Sequence, residues 1–127
     1  MLVKGLFDLV SLETQGTEIN SVVKLNSSHV VFSGHFQGNP IVPGVLLIQL
    51  IEELYSMAIQ QKMVVREVEQ AKFLLPISGA ADALLTISLV NLISSDENFV
   101  RLEAKISTPE GISNKSKLKL IKSKQHG

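Results

Sequence analysis

Residues 43–61 constrain the fold of this 127-residue chain more than any other stretch. Val45, Leu46, Leu47, Ile48, Leu50, Ile51, Leu54, Met57, Ala58 and Ile59 leave one narrow polar stripe, made of Gln49, Glu52, Glu53, Ser56 and Gln60. Those polar residues recur at the three-to-four spacing of one helix face. The pattern predicts a helix that is apolar around most of its circumference, and such a helix is stable only when other elements cover it. The rest of the chain must supply the cover. At its start, Pro43 suits the first helical position, where a missing N–H costs nothing. Gly44 then leaves its backbone N–H unshielded at a helix N-terminus, which favours negative charge.

The covering elements read as strands. From Glu18 the alternation of Ile19, Ser21, Val23 and Leu25 with Asn20, Val22 and Lys24 is strand-like. Residues 29–32 read as a short extended piece. After the helix, residues 64–75, 83–93, 98–107 and 112–121 each read as a strand. They are separated by turn chemistry at 76–79, 94–98 and 108–111. In the last strand Leu118 and Leu120 oppose a solvated face of Lys115, Lys117 and Lys119. Short connections favour antiparallel pairing. The expectation is an α+β domain in which a curved antiparallel sheet wraps one central helix. Residues 2–12 are apolar without a clear period and fit either a short helix or an edge strand. Residues 1–122 form the expected single domain, with 123–127 a disordered tail.

Composition removes several classes of function. No cysteine is present, which excludes disulfides, thiolate nucleophiles and zinc–thiolate sites. Twelve basic and twelve acidic residues cancel, which argues against a nucleic-acid partner. No apolar run is long enough to span a membrane, and the N-terminus does not resemble a signal peptide. The expected setting is cytoplasmic, with neither metal nor cofactor required.

The loop before the helix carries the chemistry. It is rich in glycine and proline (Gly34, Gly38, Pro40, Pro43, Gly44) and holds one histidine, His35. A base held near exposed backbone donors suggests chemistry on a carbonyl compound. The segment Gly34-His35-Phe36-Gln37-Gly38-Asn39-Pro40-Ile41-Val42-Pro43-Gly44-Val45, together with Gln70-Ala71-Lys72-Phe73-Leu74-Leu75-Pro76-Ile77, resembles two signatures of one family. That family is the hot-dog-fold 3-hydroxyacyl-acyl-carrier-protein dehydratases of the FabZ/FabA type. Residues 18–121 fall within the resemblance.

The resemblance implies a hydro-lyase acting on acyl thioesters in fatty-acid or related biosynthesis. His35 falls on the base that removes the C2 proton. The Gly44 N–H falls on the donor to the thioester carbonyl, and the Ile41 carbonyl on the group that orients the imidazole. Phe36 and Val45 fall on the acyl tunnel. The family's second catalytic residue, a Glu or Asp on the central helix, is here Gln49. An amide donates a hydrogen bond but cannot deliver a proton as a carboxylic acid does. Glu52 and Glu53, about one turn further, are the candidates to compensate. The implied partner is an acyl-carrier-protein or acyl-CoA thioester, and the implied assembly a homodimer or trimer of dimers. A hot-dog thioesterase, an enoyl isomerase and a catalytically degenerate acyl-binding subunit remain the alternatives.

Overall fold

A computed structural model describes residues 2–33, 40–92 and 98–123. The chain opens on a tight turn and then forms β1 (Phe7–Gln15) and β2 (Glu18–Leu25). A single 3₁₀ turn (Val30–Phe32) leads towards α1 (Gly44–Ile59), followed by β3 (Met63–Phe73), β4 (Leu84–Leu92), β5 (Val100–Thr108) and β6 (Gly111–Lys122). The strands make one six-stranded sheet in the order β1-β2-β4-β5-β6-β3. Every neighbouring pair is antiparallel.

Period-two alternation decides which side of the sheet meets the helix. Ile19, Val23 and Leu25 of β2, Leu85, Ile87 and Leu89 of β4, Leu102 and Ile106 of β5, and Leu118 and Leu120 of β6 are all buried. They enclose Leu47, Leu50, Ile51, Leu54 and Tyr55 of α1 in one cluster. Each fully buried aliphatic side chain contributes about 1.5–3 kcal/mol. The wrapped helix expected from the sequence is the helix observed.

Within the polar stripe of α1, Glu52, Glu53 and Ser56 are partly buried and bonded to neighbouring backbone. Glu52 Oε2 accepts from the Val65 N–H at 2.7 Å. Ser56 Oγ accepts from the Met63 N–H at 2.9 Å, and Glu53 Oε1 accepts from the Val3 N–H at 3.0 Å. These side chains tie the helix to the start of β3 and to the N-terminal turn.

Three local expectations need correction. Residues 30–32 form a 3₁₀ turn, not an extended piece, because His29 Nδ1 accepts from the Val31 N–H at 3.0 Å and caps it. The other ring nitrogen of His29 lies 3.0 Å from the Lys4 carbonyl, to which it donates, so the capping bond selects the Nε2–H tautomer. Pro43 is the residue before the helix, with extended dihedrals (φ −60°, ψ 140°), and Gly44 is the first helical residue. Finally, residues 74–83 do not form a turn between paired strands. The helix carries the chain across the inner face to the far edge, so β3 joins β6 and the chain must cross back to reach β4. The open question at residues 2–12 resolves as a turn followed by an edge strand.

Candidate active site

The crossover after β3 builds the wall opposite the helix start. Its backbone is pinned to the segment entering α1: the Val42 N–H donates to the Ile77 carbonyl at 2.9 Å, and the Gly79 N–H to the Pro40 carbonyl at 2.8 Å. Ile41 forms an isolated bridge with Ser78. On the far side, Ser113 Oγ donates to the Leu75 carbonyl at 2.6 Å. Between these walls lies a pocket of about 340 Å³, open to solvent and lined by Ile41, Pro43, Gly44, Leu47, Phe73 and Ile77 among others. It is an apolar slot ending at the N-terminus of a sixteen-residue helix. Such a slot suits an apolar chain that ends in a polarised oxygen.

Gly44 is closely approached there by a side chain of the opposite wall. A Cβ at this position would lie 2.8 Å from the Phe73 ring. Phe73 itself is 58 % exposed, so its ring roofs the helix start from the solvent side.

The sequence candidates separate into five groups. Gly44 and Ile41 are together in the pocket wall. Val45 is 72 % exposed and points away from the chain's own core. Gln49 lies elsewhere on the helix. At about 100° per residue it stands roughly 200° around from Leu47, which lines the pocket. Its Nε2 donates to Glu53 Oε2 at 3.1 Å. Glu52 and Glu53 are each occupied by a backbone N–H, of Val65 and Val3 respectively. His35 and Phe36 lie outside the described residues.

Two polar side chains escaped the sequence reading. Asn114 and Ser116 of β6 share the strand parity of Leu118 and Leu120, so they turn towards the helix side and are buried. The Asn114 amide and the Ser116 hydroxyl have no hydrogen-bond partner among the described residues. Extending the Leu118/Leu120 alternation back along β6 is the signal that finds them. Burial raises the pKa of the Tyr55 hydroxyl from its ordinary 10.0, so the phenol keeps its proton at neutral pH. Among the described residues no group of His, Asp or Glu could hold a metal ion, and no helix is long and apolar enough to cross a membrane.

A sheet of this order wrapped on one helix defines a hot-dog-fold protein. The model of the ApeI-like family (ApeI dehydratase) matches residues 11–110, and the chain belongs to that family. The 3-hydroxyacyl-[acyl-carrier-protein] dehydratase FabZ of Ehrlichia chaffeensis is 30% identical over 91 residues, 68% of this chain and 64% of that protein. The FabZ of a Wolbachia species is 30% identical over 81 residues, 58% of this chain and 57% of that protein. The chain therefore spans less than two thirds of either curated relative. Among solved structures, the dehydratase heterocomplex ApeI:P from Xenorhabdus doucetiae superposes with a TM-score of 0.74 at 18% identity, covering 91% of this chain and 98% of that one. Thioesterase HI1161 from Haemophilus influenzae superposes at 0.62 and 18% identity, covering 98% and 85%. Both likenesses speak to the fold.

Proposed function

We propose that the protein is a 3-hydroxyacyl-thioester dehydratase acting on chains carried by an acyl-carrier protein or coenzyme A. The observation that carries this reading is the apolar slot closing on the Gly44 end of α1. The acyl chain lies in the slot and the thioester carbonyl accepts from the backbone at the helix start, as its oxygen gains charge when the C2 proton leaves. A donor aimed at such an oxygen contributes roughly 3–4 kcal/mol. His35 takes the C2 proton, with the Ile41 carbonyl orienting its ring. Phe36 and Val45 line the acyl path, and Gln49 contacts the departing hydroxyl.

The site is shared between two chains. Gln49 and the slot lie on different sides of α1, which supports a second protomer bringing its own Gln49 to the slot. The natural seam is β3, an edge strand that leaves Val68 and Phe73 exposed. A homodimer, or a trimer of such dimers, buries that seam. Partnership with a different subunit, as in the ApeI:P heterocomplex, is the alternative that a neutral residue at position 49 favours. The cytoplasm is the setting proposed for this chemistry.

The test follows enoyl absorbance with a 3-hydroxyacyl carrier-protein substrate. The expected result is reversible water loss that falls at least a thousandfold in His35→Ala. Release of free acid, or a shifted double bond, identifies a thioesterase or isomerase in its place. Turnover unchanged in His35→Ala sinks the assignment.

A further inference from the structure

Gln49 is held, and the manner of holding specifies what it offers. A carboxylate oxygen only accepts, so the contact with Glu53 Oε2 at 3.1 Å fixes Nε2 towards Glu53 and leaves Oε1 and one N–H of the amide for other partners. Glu53 is itself fixed, because its second oxygen accepts from the Val3 N–H at 3.0 Å. Val3 is an unusual anchor. It and Lys4 both sit at φ 52°, a left-handed conformation that a β-branched residue adopts at a cost of order 1–3 kcal/mol. The turn is held in that shape from several sides. Leu2 and Phe7 bridge, Asn26 Nδ2 donates to the Gly5 carbonyl at 3.3 Å, and His29 reaches the Lys4 carbonyl at 3.0 Å. Held in this shape, the turn directs the Val3 backbone N–H at Glu53.

We propose that Glu53 is a positioning residue: pinned by the strained Val3 turn, it locks the Gln49 amide so that Oε1 and one N–H face the substrate hydroxyl in a fixed orientation. This rests on the dehydratase reading above and deepens it. Both Glu53 oxygens are engaged as acceptors of N–H groups, so its part is to hold the amide and not to replace the missing acid. At the substrate, the amide carbonyl accepts the O–H of the 3-hydroxyl while the free N–H donates to a neighbouring acceptor. The C3–O bond then breaks with the hydroxyl already oriented, and the proton that completes the water comes from the protonated histidine base.

The experiment compares wild type, Glu53→Gln, Gln49→Ala and the double variant, using a trans-2-enoyl pantetheine thioester as probe. Glu53→Gln keeps the shape but turns one acceptor into an NH₂ donor, so it holds Val3 and Gln49 together only with the Gln49 amide flipped, its Oε1 turned inwards and both its N–H groups free. The expected result is kcat lowered about tenfold or more, KM within twofold, and a double variant no slower than Gln49→Ala alone. In ¹⁵N-labelled protein the Gln49 side-chain amide shows one protected N–H in wild type and two rapidly exchanging ones in Glu53→Gln. Equal kcat in Glu53→Gln, additive losses in the double variant, or a freely exchanging Gln49 amide in wild type each overturn the proposal. If wild type turns over no thioester, the dehydratase reading falls instead, and the amide measurement still decides whether Glu53 fixes Gln49.

Discussion

At position 49 the choice between an amide and a carboxyl group changes the chemistry without changing the shape. Gln49→Glu alone puts a second carboxylate about where the amide nitrogen now sits, 3.1 Å from Glu53 Oε2. Two carboxylates that close share one proton and titrate as a pair, so the acid is spent on Glu53 and not on substrate. Exchanging the two residues, Gln49→Glu with Glu53→Gln, avoids this. The new amide accepts from the Val3 N–H with its oxygen and donates to the new carboxyl group with its nitrogen. We expect the exchanged pair to raise kcat/KM for dehydration by about 10²-fold or more over wild type, the typical range for a general acid. The single substitution should give a smaller gain. Enoyl absorbance read across pH checks both, and equal rates for the two variants contradict the shared-proton account. A second residue-scale effect concerns stability. Asp82 accepts from the Ser27 hydroxyl at 2.6 Å and the Ser27 N–H at 2.8 Å, and those bonds hold its pKa below the ordinary 3.8. A depressed carboxyl stabilises the fold above its unfolded pKa and loses that contribution as pH falls through the folded one. Asp82→Asn should therefore lower Tm at pH 7, and the difference from wild type should shrink steadily below about pH 4.

The elements differ in how much of them could be read from residues alone. α1 and the alternation of β2, β5 and β6 were legible because burial on one side writes a period into the sequence. The partner of β3 was not. Its side chains read as a strand in any sheet position, and what sends it to the far edge is the path of α1 across the inner face. The turn at residues 30–32 was hidden for a different reason, since the ring of His29 does the capping and Val30-Val31-Phe32 favours strands by propensity alone. The pocket wall was quoted in the sequence as Phe73-Leu74-Leu75-Pro76-Ile77, yet only the crossover geometry shows it facing Gly44. Two element-scale predictions follow from this packing. At Gly79 a Cβ would run into the Phe32 ring, which is partly buried against the core. Gly79→Ala should displace the 3₁₀ turn and cost about 1–3 kcal/mol by chemical denaturation, an overpacking cost. Gly44→Ala meets only the outer end of the half-exposed Phe73 ring, so Tm should change little while KM for the thioester rises. On the outer face Lys72, Lys115 and Lys105 stand directly opposite one another across β3, β6 and β5. Like charges in that register repel. Lys115→Glu should raise Tm by ~1–3 °C at low salt, with the gain fading as salt screens the pair.

Over the whole molecule, one edge of the sheet is unfinished. β3 pairs with β6 on one side only, and past Val65, whose N–H is taken by Glu52, its other side has no strand neighbour among the described residues. Beside that edge Val68, Phe73, Leu74, Leu75, Ile41 and Val45 are exposed, an apolar surface gathered around the mouth of the slot. The separation of Gln49 from the slot within one chain points to the same seam. In the proposed dimer, a twofold contact along β3 satisfies the edge, covers the apolar surface and lets each chain contribute to its partner's site. Assembly and catalysis are then one property and must fail together. Placing charge on the seam with Val68→Glu and Ala71→Glu tests this, because both side chains are exposed on β3 in the single chain and lie outside the lining of the slot. By light scattering the wild type should run at about 28 kDa or a multiple of it, twice the 13.9 kDa of one chain, and the double variant at the single-chain mass. Circular dichroism should remain that of the folded sheet, and dehydration should drop by the same factor as the dimer population at each concentration. A wild-type monomer at micromolar concentration with full turnover would mean that one chain holds a complete site, and that Gln49 takes no part in it.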